Sequence, residues 1–103
     1  MKIEGNVRGF ATGRFKDRYG VNCSIQKSSA AMEDCIWLGV DDANPQIMAS
    51  QAKQFGIQTN EITGWIPYPI PDEVFLTTRM HLTQKQVADL LPFLQKFVAT
   101  GEL

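Results

Sequence analysis

Arg79 and His81 stand two residues apart in a segment, Val74 to Leu82, whose apolar and polar residues alternate. That period places both side chains on one face of a strand, where a guanidinium and an imidazole together suit an anion. Thr77 shares their parity. Trp37 sits at the outward parity of a second alternating segment, Asp34 to Val40, and Arg8 and Arg14 share one parity in a third, Asn6 to Phe15. Ser28 and Ser29 follow a strand-like run and offer hydroxyls and amides to phosphate oxygens.

Guanidinium groups, hydroxyls and flat rings on one surface suit an anionic ligand with a ring system, such as a nucleotide. Arginine forks match phosphate oxygens, and a ring offers stacking of roughly 1–3 kcal/mol per base. The expected ligand-binding set is Arg79, His81, Ser28 and Ser29 on phosphates and Trp37 or Tyr19 on the base, with Thr77, Arg8 and Arg14 beside them. Protein interfaces also favour arginine and tryptophan, so a self-association surface accounts for the same residues. A solvated face with Trp37 lying under the proline-rich segment is the third reading. Composition does not separate the three.

Signals for catalysis are absent. His81 is the sole histidine and has no neighbouring nucleophile or ligand cluster in sequence. Asp41 and Asp42 precede a helix-start signal, where the helix dipole accounts for them. No glycine-rich phosphate loop, CxxC, HExxH or GxSxG occurs. The expectation is a non-enzymatic chain without cofactor or metal.

The elements that must position these residues read as α+β: an antiparallel sheet of about four strands, in the order β-β-β-α-β-α, packed on a C-terminal amphipathic helix. The strands are Asn6 to Phe15, Val21 to Gln26, Asp34 to Val40 and Val74 to Leu82. Lys16 to Gly20 supplies the first turn, with Asp17 bonding local amides and Gly20 free to take positive φ. Asn44 and Pro45 predict a helix start, with Gly56 closing that helix after Phe55. Pro67, Pro69 and Pro71 hold the following stretch extended along the surface or an edge. Thr83 and Gln86 match a capping box. After them Val87, Leu90, Leu91, Leu94, Phe97 and Val98 recur at helical spacing, an apolar face expected to cover the sheet despite a kink at Pro92.

With 103 residues, of which 44% are hydrophobic, the chain matches a single domain, 1–103. A net charge of -1 argues against coating long nucleic acid. Cys23 and Cys35 fit no metal or redox spacing and read as buried thiols. No charged-then-apolar leader opens the chain, and no apolar run approaches the roughly 20 residues a membrane span needs, so a cytoplasmic location without a membrane partner is expected.

The run from Phe15 through Asp17-Arg18-Tyr19-Gly20, Cys23-Ser24-Ile25-Gln26 and Ser28-Ser29, then Ile36-Trp37-Leu38-Gly39, then Thr77 to Leu82 with the helix beyond, resembles a small protein type that recurs in phage and prophage genomes. The resemblance implies a phage source and a role against host defence, either sequestering a nucleotide immune signal or blocking a host defence protein. Sequestering proteins of that kind are usually homo-oligomers, and the host cytoplasm is the implied location. A small nucleotide-acting enzyme is the remaining alternative.

Overall fold

The computed structural model describes residues 1–103 and divides into two compact units, Met1–Asp41 with Thr78–Leu103, and Asp42–Thr77. The strands are β1 (Ile3–Gly5), β2 (Ala11–Lys16), β3 (Asn22–Lys27), β4 (Cys35–Val40), β5 (Gln46–Met48), β6 (Trp65–Pro67) and β7 (Arg79–Thr83), followed by helix α1 (Gln84–Thr100). In the first unit an antiparallel five-stranded sheet runs β1-β2-β3-β4-β7. The class is therefore α+β, an antiparallel sheet with a C-terminal helix.

The segment expected as one strand from Asn6 is instead a hairpin. Asn6 Oδ1 accepts hydrogen bonds from the amides of Arg8 (2.9 Å) and Phe10 (3.0 Å), and Gly9 takes φ 85°. This Asx turn reverses the chain, so β1 pairs with β2 and the strand proper begins at Ala11. The next turn follows the sequence reading: Asp17 Oδ1 accepts from the amides of Tyr19 and Val21, and Gly20 takes φ 81°.

Register then sorts the sheet into two faces. One carries Ile3, Gly13, Ile25, Leu38 and Met80 as one cross-strand row, flanked by Phe15, Cys23 and Val40 and by Ile36 and Leu82. The other face is polar. Cys23 and Cys35 are both buried and unpaired, as their apolar surroundings in sequence suggested.

The second unit differs from expectation at its start. Asn44 and Pro45 open no α-helix; β5 pairs with β6 instead, setting Ile47 opposite Ile66. Those two side chains with Ala49 and Ala52 form a small core, packed by Ile57 and Tyr68. Joint burial of two isoleucines outweighs an isolated capping signal. A 3₁₀ helix, Ala49–Phe55, follows and stops at Gly56 in the left-handed conformation, the stop expected there. Trp65–Pro67 runs extended in a two-stranded edge, in keeping with its prolines.

At the start of α1 the capping box is complete: Thr83 Oγ1 accepts from the Gln86 amide (3.1 Å), and the Thr83 amide donates to Gln86 Oε1 (3.0 Å). The helix continues through Pro92 and ends at Gly101, φ 77°, whose amide donates to the Phe97 carbonyl. Its first turn packs at the end of β7, with Val87 half-buried. The sheet thus packs against the helix as expected, although no residue of α1 is fully buried and the far part of its apolar stripe stays largely exposed. No helix is long and apolar enough to cross a membrane.

Candidate functional site

Two successive cross-strand rungs build the polar face. Arg14, Ser24, Gly39 and Arg79 form one, and Thr12, Gln26, Trp37 and His81 form the next. Each row arises because strand period and antiparallel register bring same-parity residues side by side across four strands.

Arg79 lies across β4 toward β3. Its Nη1 donates to Ser24 Oγ (3.2 Å) and Gln26 Oε1 (3.0 Å). The residue between Arg79 and Ser24 in the rung is Gly39, with φ 148°. A Cβ there would stand 3.1 Å from both the Arg79 Cα and the Thr78 carbonyl oxygen, so the missing side chain leaves the path open. Ser24, 1% exposed, uses its hydroxyl in both senses: it accepts from Arg79 and donates to Asp41 Oδ1 at 2.6 Å. Asp41 Oδ2 in turn meets Arg14 Nη1 at 3.3 Å. Arg14 thus has a carboxylate partner, whereas Arg79 is held by neutral oxygens alone and keeps Nε and Nη2 free as donors.

Trp37 and His81 are direct cross-strand partners. Their rings stack at 4.0 Å between centroids and 15° between planes, and the Arg79 guanidinium stands 5.6 Å from the indole centroid. His81 Nε2 shares a hydrogen bond of 2.8 Å with Ser28 Oγ. Ser28 is buried, and its Oγ also accepts from the Ala30 amide (3.2 Å). A guanidinium, an imidazole and an indole therefore form one ordered patch: Arg79 is held from β3, His81 by Ser28, and the Trp37 and His81 rings by each other.

A cation whose free donors lie beside an aromatic stack can hold an anionic oxygen while a ring of the same ligand lies flat on the patch. The face extends to β1, since Glu4 pairs with Thr12 in the second rung. There an open hollow of about 590 Å³ is lined by Lys2, Glu4, Asn6, Thr12 and Arg14. Cys35, at the far end, offers no nucleophile: burial, followed by the nearby Glu33 carboxylate, pushes its thiol above the usual range. No group of three or more His, Cys, Asp or Glu is arranged to hold a metal ion.

Of the residues expected to bind ligand, the sheet brings together Arg79, His81, Trp37 and Ser28, with Arg14 at the edge of the same rungs. Arg8 and Tyr19 stand in the turns at opposite ends of β2, so they do not share one small site with each other. Arg8 lies over Phe10, 5.5 Å from its centroid, and Tyr19 is exposed. Ser29 is exposed beyond β3, and Thr77 belongs to the second unit, outside β7. Parity puts Ser24 and Gln26 on the polar face in the sequence, but they were given no role in the site, and Gly39 and Asp41 were left out of it. Asp41 was ascribed to a helix dipole, but the next element is β5, not a helix, and the Asp41 carboxylate serves Ser24 and Arg14.

Comparison of the chain with protein-family models, with characterised proteins and with solved structures finds no match.

Proposed function

We propose that the chain is a non-enzymatic binder of a small anionic, nucleotide-like ligand, held on the polar face with Arg79 as its principal anchor. The observation that carries this reading is the state of Arg79. Its guanidinium is fixed by Ser24 and Gln26, lies beside the Trp37–His81 stack, and has no carboxylate partner. A cation immobilised beforehand loses little entropy when an anion arrives. Ser28, through His81, orients a second donor on the same patch. In the phage setting that the sequence resemblance implies, binding without turnover in the host cytoplasm sequesters a nucleotide immune signal, with the chain acting as a homo-oligomer.

A thermal-shift screen against linear and cyclic nucleotides, adenosine-diphosphate-ribose derivatives included, tests the reading. A ligand at about 100 times its dissociation constant adds roughly 2.7 kcal/mol and raises the midpoint by on the order of 10 °C in a domain of this size. No shift across the panel rejects a nucleotide ligand and moves the polar face to a protein partner such as a host defence complex.

One observation favours a second reading, a small nucleotide-acting enzyme: the 2.8 Å Ser28–His81 bond has the spacing of a hydroxyl and its activating base. Against it, Ser28 is only 5% exposed and its oxygen already receives the Ala30 amide. Recovery of chemically intact nucleotide after incubation and heat denaturation supports sequestration; a converted product supports the enzyme.

A further inference from the structure

The first unit holds two apolar surfaces that nothing in the chain's own sheet-and-helix unit covers. One is the sheet face whose centre, Ile25 and Leu38, is half-buried and whose edges, Ile3 and Met80, are 57% and 53% exposed. The other is the α1 stripe of Leu90, Leu91, Leu94, Phe97 and Val98, each between 43% and 85% exposed. Thr83 is at once the last residue of β7 and the N-cap of α1, so no connecting residue separates strand from helix. Strand–helix connections that fold a helix back over its own sheet take about 2–6 residues. Without them α1 leaves the end of β7 directly, and its contact with the sheet is mainly at that strand. Between that turn and the sheet an open groove of about 600 Å³ is lined by Ile36, Leu82, Val87 and Leu91.

We propose that a second copy of this chain occupies both surfaces, the helix stripe of each copy lying on the apolar sheet face of the other. The two surfaces match in kind: a sheet apolar on one face and a helix with one apolar stripe are the complementary halves of a layered domain. They also match in size. A helix of 17 residues is about 25 Å long, and a sheet of five strands spaced about 4.8 Å apart is of similar width. At roughly 100 Å² of removable apolar area per large side chain, stripe and sheet face together offer on the order of 1,000 Å² per copy, against about 800 Å² per partner in a standard specific interface. Charge agrees as well: the sheet face carries only Lys27, which is already paired with Asp34, so it presents no field that a strongly charged partner would need. The resulting contact is isologous and uses the sheet face opposite Arg79, Trp37 and His81.

Sedimentation equilibrium of the full chain tests this without any ligand. The wild-type protein is expected at twice its 11.5 kDa chain mass. Leu94→Glu in the stripe and Met80→Glu on the sheet face are each expected to sediment as folded monomers, with circular dichroism reporting retained secondary structure. Mixing the two variants leaves one intact helix-on-sheet contact, so the mixture associates at lower concentration than either variant alone. A monomeric wild type across the micromolar range overturns the proposal, as do variants that remain dimeric. A mixture no more associated than its components overturns the reciprocal arrangement, and points to a helix-on-helix or sheet-on-sheet contact instead.

Discussion

Arg79 reaches Ser24 across an intervening strand, and it does so because the position between them, Gly39, has no side chain. Filling that position closes the path and forces a Cβ to within 3.1 Å of backbone at Thr78 and Arg79, at a φ that L-residues rarely adopt. Gly39→Ala is therefore expected to destabilise by about 1–3 kcal/mol. Urea denaturation checks this; a variant as stable as the wild type removes the assigned role of Gly39.

Arg79→Lys separates charge from geometry. A lysine keeps the positive charge but lacks Nε and Nη2, the donors left free when Nη1 bonds Ser24 and Gln26, and the planar group beside Trp37. It is expected to bind nucleotide at least tenfold more weakly than the wild type while unfolding at a similar midpoint. Equal affinity shows that charge alone suffices.

His81→Phe retains a ring against Trp37 and deletes the bond to Ser28. Stability is expected to fall by about 1–3 kcal/mol, because the buried Ser28 hydroxyl loses its ring partner, and ligand affinity falls as well. Ser28→Ala is the harsher change, because the Ala30 amide loses its acceptor as well. Chemical denaturation of both variants ranks them; the reverse order removes Ser28 from the framework of the patch.

The Cys35 thiol, held protonated by burial and by Glu33, and the buried Cys23 are expected to react slowly with a thiol-specific disulfide reagent at neutral pH and fast after unfolding. For Cys35 the sign follows from a raised folded-state value: the stability it contributes is present below the unfolded thiol's range and is lost as pH rises through the folded one. Rapid labelling of native protein at pH 7 contradicts it.

Much of the candidate site was legible in period and parity. Trp37, Arg79 and His81 were assigned to one face from alternation alone, and register in the sheet places them there. The Asp17 turn and the Thr83–Gln86 box were legible because their chemistry is local. Non-local relationships were not. Only cross-strand register makes Gly39 the gap beneath Arg79, and only the sheet's end places Asp41 beside Ser24. The Asn6 turn was hidden because an alternating pattern continues through it. Asn44 and Pro45 misled because a local capping signal says nothing of the pairing of Ile47 with Ile66. For α1 the pattern identified the apolar face correctly; what covers that face depends on the absence of a linker after β7, which no periodicity reports.

Arg79 as anchor is tested by a calorimetric titration of wild type, Arg79→Ala and Arg8→Ala with the nucleotide that gives the largest thermal shift. Arg8 lies in the β1–β2 turn, outside the two rungs, and serves as the charge-matched control. Saturable binding is expected for wild type and for Arg8→Ala, and loss of binding in a folded Arg79→Ala. Undiminished affinity in Arg79→Ala, or loss confined to Arg8→Ala, contradicts it.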